Sequence, residues 1–240
     1  ISTPFALTGS ATDADAGDVL TYCYEQNDAA NSTVTGNNSV AFPTKLVGPN
    51  WLTWPATTSP TRLFPRLSSI LAGSATTGPL PGGDAIATTE ALSSVARTLN
   101  FRLTVRDNRP YNGTAVGQTN YTDVVVNVNA SGGPFLITSQ NTATNWVGGA
   151  TETVTWSVNN TTAAPFNVTN VNILFSSDGG NTFTMVLANT PNDGTENITV
   201  PSVTTAQGRI KVEAVGNIFF DINNANINVA PPPNGFTFNS

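Results

Sequence analysis

Residues 11–26 read ATDADAGDVLTYCYEQ, and this stretch is the best guide to the fold. Its first half places Asp13, Asp15 and Asp18 in one glycine-containing turn. Its second half, residues 19–24, is rich in aromatic and β-branched side chains, which favour a β-strand. An acidic turn that leads into such a strand is typical of a β-sandwich module and not of an active site.

The three aspartates of this turn must be solvated, hydrogen-bonded or neutralised, because like charges at this range repel one another. Two arrangements would do this. In one, the carboxylates and nearby carbonyl groups bind Ca²⁺, which prefers hard oxygen ligands. In the other, the aspartates form Asx-turns and satisfy their own backbone amides. The residue pattern leaves both arrangements open.

Strict alternation of apolar and polar residues predicts strands in both halves of the chain. Within residues 97–106 (RTLNFRLTVR), Leu99, Phe101, Leu103 and Val105 alternate with polar residues. In residues 121–128 (YTDVVVNV), every second position from 124 onward is a valine. In the second half, 153–158 alternate likewise, and about seven short strands follow one another at hairpin spacing. The predicted fold class is all-β, with two tandem antiparallel β-sandwiches.

A domain boundary is expected at residues 130–134 (ASGGP), where small and flexible residues are followed by a proline. We therefore predict one sandwich over residues 1–130 and a second over 134–230. Residues 231–240 begin with three prolines and are predicted to be a Pro-rich linker, so that the parent polypeptide continues.

The segments between the predicted strands of the first half are less regular. Residues 51–55 and 61–66 are short apolar pieces interrupted by prolines, which favours hydrophobic lids over regular central strands. Residues 27–50 are expected to form a long polar loop, and 87–94 could form one helical turn.

The composition excludes several classes of function. The net charge is -6 and only 10% of residues are charged, with two lysines, so nucleic acid and anionic membrane surfaces are not expected partners. No apolar run is long enough to insert into a membrane. With no histidine, the usual catalytic triads and most zinc sites are not expected. The single cysteine, Cys23, is predicted to be a small buried hydrophobe.

Several runs resemble a known family. SATDADAGDVLTYCYEQ and RTLNFRLTVRDN resemble the cadherin- or PKD-like module downstream of the catalytic domain in secreted reprolysin-like zinc metalloproteases of Bacteroidetes. GGPFLITSQNTATNW, TVTWSV, VNILFSSDGGNTF and RIKVEAVGNIFFDIN resemble the immunoglobulin- or fibronectin-III-like domain that follows it.

This resemblance implies a non-catalytic tail of a secreted or bacterial cell-surface multidomain protein, whose partner is first of all the remainder of that larger secreted polypeptide. The histidines of the family's catalytic zinc motif are missing, so no enzymatic activity is expected. In cadherin-like modules the acidic turn and a later strand end supply calcium ligands. Asp13, Asp15, Asp18 and Asp107 stand at similar places.

Two further patterns have a recognisable chemical meaning. Residues 176–183 (SSDGGNTF) fit the Asp-box hairpin of sialidases, where the aspartate caps a turn and is a folding device. Trp51 and Trp54 would stack on sugar rings if exposed, although such residues more often fill a core. The alternative function is therefore an accessory module of a protease or other exoenzyme that binds a glycan or a cell-surface protein.

Overall fold

The structure is a computed structural model that describes residues 1–15 and 17–232. It is all-β, as predicted, with several antiparallel sheets and one short helix, α1 (Leu67–Leu71). Of the predicted linker 231–240, the part beyond Pro232 lies outside the described residues. Among the described residues, no helix has the length and hydropathy needed to cross a bilayer.

The chain divides into two compact units: residues Ile1–Ser69 with Ser74–Ser131, and residues Ile70–Gly73 with the chain from Gly132 onward. The strands of the first unit are β1 (Phe5–Thr8), β2 (Thr21–Gln26), β3 (Thr61–Phe64), β4 (Thr76–Thr77), β5 (Glu90–Ala91), β6 (Arg97–Arg106) and β7 (Thr119–Val128). Its sheets are β1-β3, β2-β6-β7 and β4-β5, and all of their pairs are antiparallel.

The core of the first unit follows from the alternation seen in the sequence. Leu99, Phe101 and Leu103 of β6 are buried, as are Phe5 on β1 and Phe64 on β3. The Phe5 and Phe64 rings stack with centroids 4.8 Å apart. These residues form one hydrophobic cluster, so the β1-β3 sheet packs on the β2-β6-β7 sheet.

Three local predictions for the first unit were wrong. Of the two segments predicted as lids, residues 61–66 contain a regular strand, β3, because Pro60 and Pro65 stand just outside its ladder and interrupt no pairing. Residues 87–94 contain β5 in place of a helical turn. Cys23 is only half-buried, and its thiol lies 3.5 Å from the Trp54 carbonyl oxygen.

Up to Pro232, where its described residues end, the second unit has nine strands: β8 (Leu136–Ile137), β9 (Thr144–Val147), β10 (Thr151–Ser157), β11 (Asn170–Ser176), β12 (Thr184–Pro191), β13 (Thr195–Thr199), β14 (Thr205–Ala214), β15 (Phe220–Ile222) and β16 (Ile227–Ala230). One sheet has the order β13-β10-β8. The other has the order β12-β11-β14-β16-β9, with β15 also paired to β14.

The two sheets of the second unit enclose a single core. Val154 and Trp156 of β10 face Ile173 and Phe175 of β11, and all four are buried in one cluster. The chain switches sheets early: β8 pairs with β10, whereas β9 pairs in parallel with β16. The sequence analysis predicted antiparallel pairing throughout and missed this parallel pair, which joins the first part of the unit to its last strand.

The Asp-box hairpin has the predicted capping geometry. The Asp178 carboxylate accepts the Thr182 amide at 2.9 Å and the Ser176 hydroxyl at 2.7 Å. The hydroxyl and amide donors of Thr182 and Ser176 hold the pKa of Asp178 well below its usual range. The motif thus fixes the turn between β11 and β12.

Candidate calcium site

The structure brings three of the four predicted calcium ligands together. Asp13 and Asp18 lie on the acidic turn before β2, and Asp107 directly follows β6. One carboxylate oxygen from each lies within 4.8 Å of the others. Two oxygens that share one Ca²⁺ at 2.3–2.6 Å can be at most about 5 Å apart, so this spacing fits a common ion.

The three carboxylates differ in burial and in hydrogen bonding. Asp107 is 7% exposed and accepts the Gln118 amide at 2.8 Å and the Arg109 amide at 3.2 Å. These backbone bonds fix its side chain on the loop that leads into β7. Asp13 is exposed, and its Oδ1 accepts the Asp15 amide at 2.9 Å, which is an Asx-turn. The metal site and the Asx-turn are therefore compatible in this geometry.

Asp15, the fourth predicted ligand, is not part of the cluster. Its carboxylate lies 3.3 Å from Nη1 of Arg109, which also donates to Asp18 at 2.9 Å. The hydrogen bond and negative charge of Asp18 raise the pKa of Arg109 above its usual value. The guanidinium thus neutralises part of the acidic turn.

Arg109 is the residue of this site that the sequence analysis missed. The resemblance implies that Asp107 lies near the acidic turn, but it gives no role to Arg109 two residues later. The antiparallel pairing of β2 with β6 brings them there, since Thr21 at the start of β2 lies opposite Arg106 at the end of β6. The position of Arg109 two residues after the predicted ligand Asp107 was the available signal.

An open groove of about 600 Å³ adjoins the cluster. The apolar side chains Leu20, Leu103 and Val105 line it together with Asp13 and Asp107. An ion held by the cluster would therefore keep access to solvent, and water would be available to complete the ~6–8 oxygen ligands of calcium.

The two tryptophans considered for sugar stacking lie elsewhere in the first unit. Trp51 is 4% exposed and packs edge-on against Phe5 and Phe64, so it fills the core and offers no face to a sugar ring. Trp54 is half-buried; its indole N–H donates to Glu90 at 2.8 Å, and the Arg66 guanidinium lies 3.8 Å from its ring centroid. The packing of Trp51 and the contacts of Trp54 weigh against a sugar platform.

No protein-family model matches this chain, and no curated protein matches it significantly.

Proposed function

We propose that the chain is a non-catalytic structural or adhesive module pair of a secreted or cell-surface multidomain protein, and that calcium stabilises its first unit. The observation that carries the calcium part is the convergence of the Asp13, Asp18 and Asp107 carboxylates. Asp107 lies at one end of the central strand β6, and the other two lie on the turn that enters β2. An ion shared by the three would tie this turn to the end of the sheet.

Three features support a role outside enzyme catalysis. The 240 residues include no histidine, which removes the most common general base. Much of the surface is built from Thr, Asn and Ser, as in many extracellular β-proteins. The order of strands in the second unit, which divides β8, β10 and β13 from β11, β12, β14 and β16, agrees with an immunoglobulin- or fibronectin-III-like sandwich.

The experiment is a thermal or denaturant unfolding measurement in millimolar Ca²⁺ and in excess EDTA. A ligand that binds only the folded state stabilises it by about 2.7 kcal/mol at a hundredfold excess over its Kd. We expect calcium to raise the melting temperature by several degrees, and Asp13→Asn to abolish most of the rise. This variant keeps an oxygen that can accept the Asp15 amide while it removes one ligand charge.

Asp84→Asn is the matched control, because Asp84 caps an Asx-turn in the same way by accepting the Ile86 amide at 3.1 Å, outside the cluster. It should leave the calcium response unchanged. An equal melting temperature in calcium and EDTA would refute the calcium site and leave the acidic turn held by Arg109 and its own amides. A response that survives Asp13→Asn would place calcium elsewhere.

A further inference from the structure

The outer edge of β7 differs from every other sheet edge in the described part of the chain. β7 runs for ten residues and pairs with β6 in unbroken register along its whole length. The other edge strands are two to eight residues long. The longest of them, β12, has register shifts against β11 and ends at Pro191. Natural proteins shield edges with proline, lysine or bulges, and β7 has none of these.

The hydrogen bonds show which backbone groups of β7 point outward. Asn100 on β6 directs its N–H to Asp28 and its C=O to Asn27, on the side away from β7. Its cross-strand partner Val125 therefore belongs to a pair that is not hydrogen-bonded. Just past the end of the ladder, the Asp107 amide donates to the Gln118 carbonyl. This hydrogen-bonded pair lies two positions beyond the pair Val105–Asn120, so it follows the same alternation.

By this alternation the even-numbered residues of β7 bond to β6, and the odd-numbered residues face away from it. The Tyr121 amide confirms the direction, since it donates to the Asn120 side chain at 2.8 Å. The amides of Asp123, Val125 and Asn127 point away from β6. In the described part of the chain, none of them donates to a backbone carbonyl of another segment. These three residues present a strand edge that another strand can extend.

The side chains along this edge suit a neutral, apolar neighbour. Tyr121 and Val125 are each 59% exposed. Asp123 is the only charged residue of β7, and Arg102 neutralises it through two hydrogen bonds of 2.8 and 2.9 Å. The edge therefore carries no unbalanced charge that would repel an identical strand.

We propose that β7 pairs antiparallel with β7 of a second copy of this chain, about a twofold axis at Val125. In this register Asp123 lies opposite Asn127 of the other copy, and Val124 lies opposite Val126. No two like charges face each other, and opposing like charges are what destabilises cross-strand pairs. The two three-stranded sheets become one sheet of six strands.

The register also satisfies the backbone. Val125 faces its own copy as a hydrogen-bonded pair, because its N–H and C=O point outward, and Asp123 and Asn127 form the next such pair. An axis at Asp123 would instead oppose two carboxylates. The complementarity that selects a second copy thus comes from the order of residues in β7 itself. This pairing does not depend on calcium.

Sedimentation or light scattering over a wide concentration range tests the association. We expect the wild type to shift reversibly from monomer to dimer, and Val125→Lys to remain monomeric because it places two ammonium groups across the axis. Val125→Thr should still dimerise, since threonine also favours strands. Met185→Lys adds the same charge at an exposed position of β12 and should dimerise like the wild type.

Amide hydrogen exchange tests the proposed register between the two β7 strands. The amides of Asp123, Val125 and Asn127 should become protected as concentration rises, whereas those of Val124 and Val126, which bond to β6, should be protected at all concentrations. Disulfide trapping of single-cysteine variants, made in a Cys23→Ser background, is a second test of this register. Val125→Cys should form a linked dimer much faster than Asn127→Cys, because Cα atoms of a hydrogen-bonded pair lie about 5.5 Å apart, within disulfide range.

A wild type that stays monomeric at the highest concentrations would overturn the proposal. So would a Val125→Lys variant that dimerises as strongly as the wild type, or a dimer in which the odd-numbered amides of β7 exchange as fast as in the monomer. Equal linking rates for the two cysteine variants would exclude the axis at Val125.

Discussion

At the scale of single residues, Asp221 carries the clearest consequence for stability. It lies on β15 opposite Val212 of β14, it is buried, and its carboxylate accepts the Ile137 amide of β8 at 2.7 Å. Burial raises the pKa of Asp221 to about 7, because desolvation disfavours the charged form more than the backbone amides of Ile137 and Ile222 favour it.

This pKa predicts that the second unit loses stability as the pH rises. The folded state holds the Asp221 proton more tightly than the unfolded state, so the stabilisation is complete below the ordinary carboxyl pKa and is lost as the pH rises through about 7. The gap between the two pKa values corresponds to about 4 kcal/mol. Chemical denaturation between about pH 4 and pH 8, followed by hydrogen exchange of core amides in β11 and β14, measures it.

Asp221→Asn should remove most of this pH dependence, since the amide oxygen can still accept from Ile137 and no longer ionises. Asp193→Asn is the control, because Asp193 is exposed and caps a loop of the same unit by accepting the Thr195 amide at 3.3 Å. If Asp221→Asn kept the full pH dependence of the wild type, another group would be responsible for it.

Only some residues of the candidate site could be predicted from the sequence. Asp13 and Asp18 could be identified because carboxylates gathered in one turn have recognisable chemistry, and the resemblance to cadherin-like modules implied that Asp107 joins them. Asp15 looked equivalent to them, and only the folded structure shows that its carboxylate pairs with Arg109 and lies outside the cluster. Pairing with a residue some ninety positions away cannot be read from local sequence.

At the scale of elements, the loop of residues 27–50 is held by two buried cations. Lys45 is 2% exposed, and its ammonium group donates to the carbonyls of Ser39, Val40 and Pro49 at 2.8, 3.1 and 2.9 Å. Arg97 donates to the Lys45 carbonyl at 2.8 Å. Burial, and then the charge of Arg97, lowers the pKa of Lys45. The ammonium group replaces the regular backbone pairing that this loop lacks.

We predict that Lys45→Met loosens this loop. Methionine fills a similar volume but leaves three carbonyls without their donor, at a cost on the order of 1–3 kcal/mol for each buried group left unsatisfied. Limited proteolysis should cut the variant between residues 28 and 50 much faster than the wild type. Lys211→Met, which changes the only other lysine, should not alter cleavage there. Equal cleavage of wild type and Lys45→Met would show that the ammonium group does not order the loop.

Strands with strict alternation could be predicted from sequence, and elements held by distant contacts could not. β6 and β7 could be predicted from their period-two patterns, because one face of each strand packs on a core. β3 was missed because its prolines look disruptive unless their positions at its two ends are known. Residues 27–50 contain no strand, as predicted, but the buried Lys45 that orders this loop could not be predicted, because side chain–backbone bonds leave no periodic pattern in the sequence.

At the scale of the whole molecule, the all-β class follows from composition and alternation, whereas the pairing of strands does not. The parallel pair β9-β16 joins segments about eighty residues apart, and neither segment carries a signal for its partner. The two hydrophobic clusters share no residue, so each unit owes its stability to its own core.

The parallel pair has a mechanical consequence. Tension along the chain pulls β9 toward its N-terminal end and β16 toward its C-terminal end, so the two strands are loaded in shear and their hydrogen bonds must fail together. Strands pulled apart from one end would instead open one bond at a time.

We predict that the second unit unfolds in single-molecule stretching at a distinctly high force, and that Asn228→Pro in β16 lowers this force more than Asn197→Pro in β13. Placed within a longer polypeptide, such a unit would act as a tether that withstands pulling.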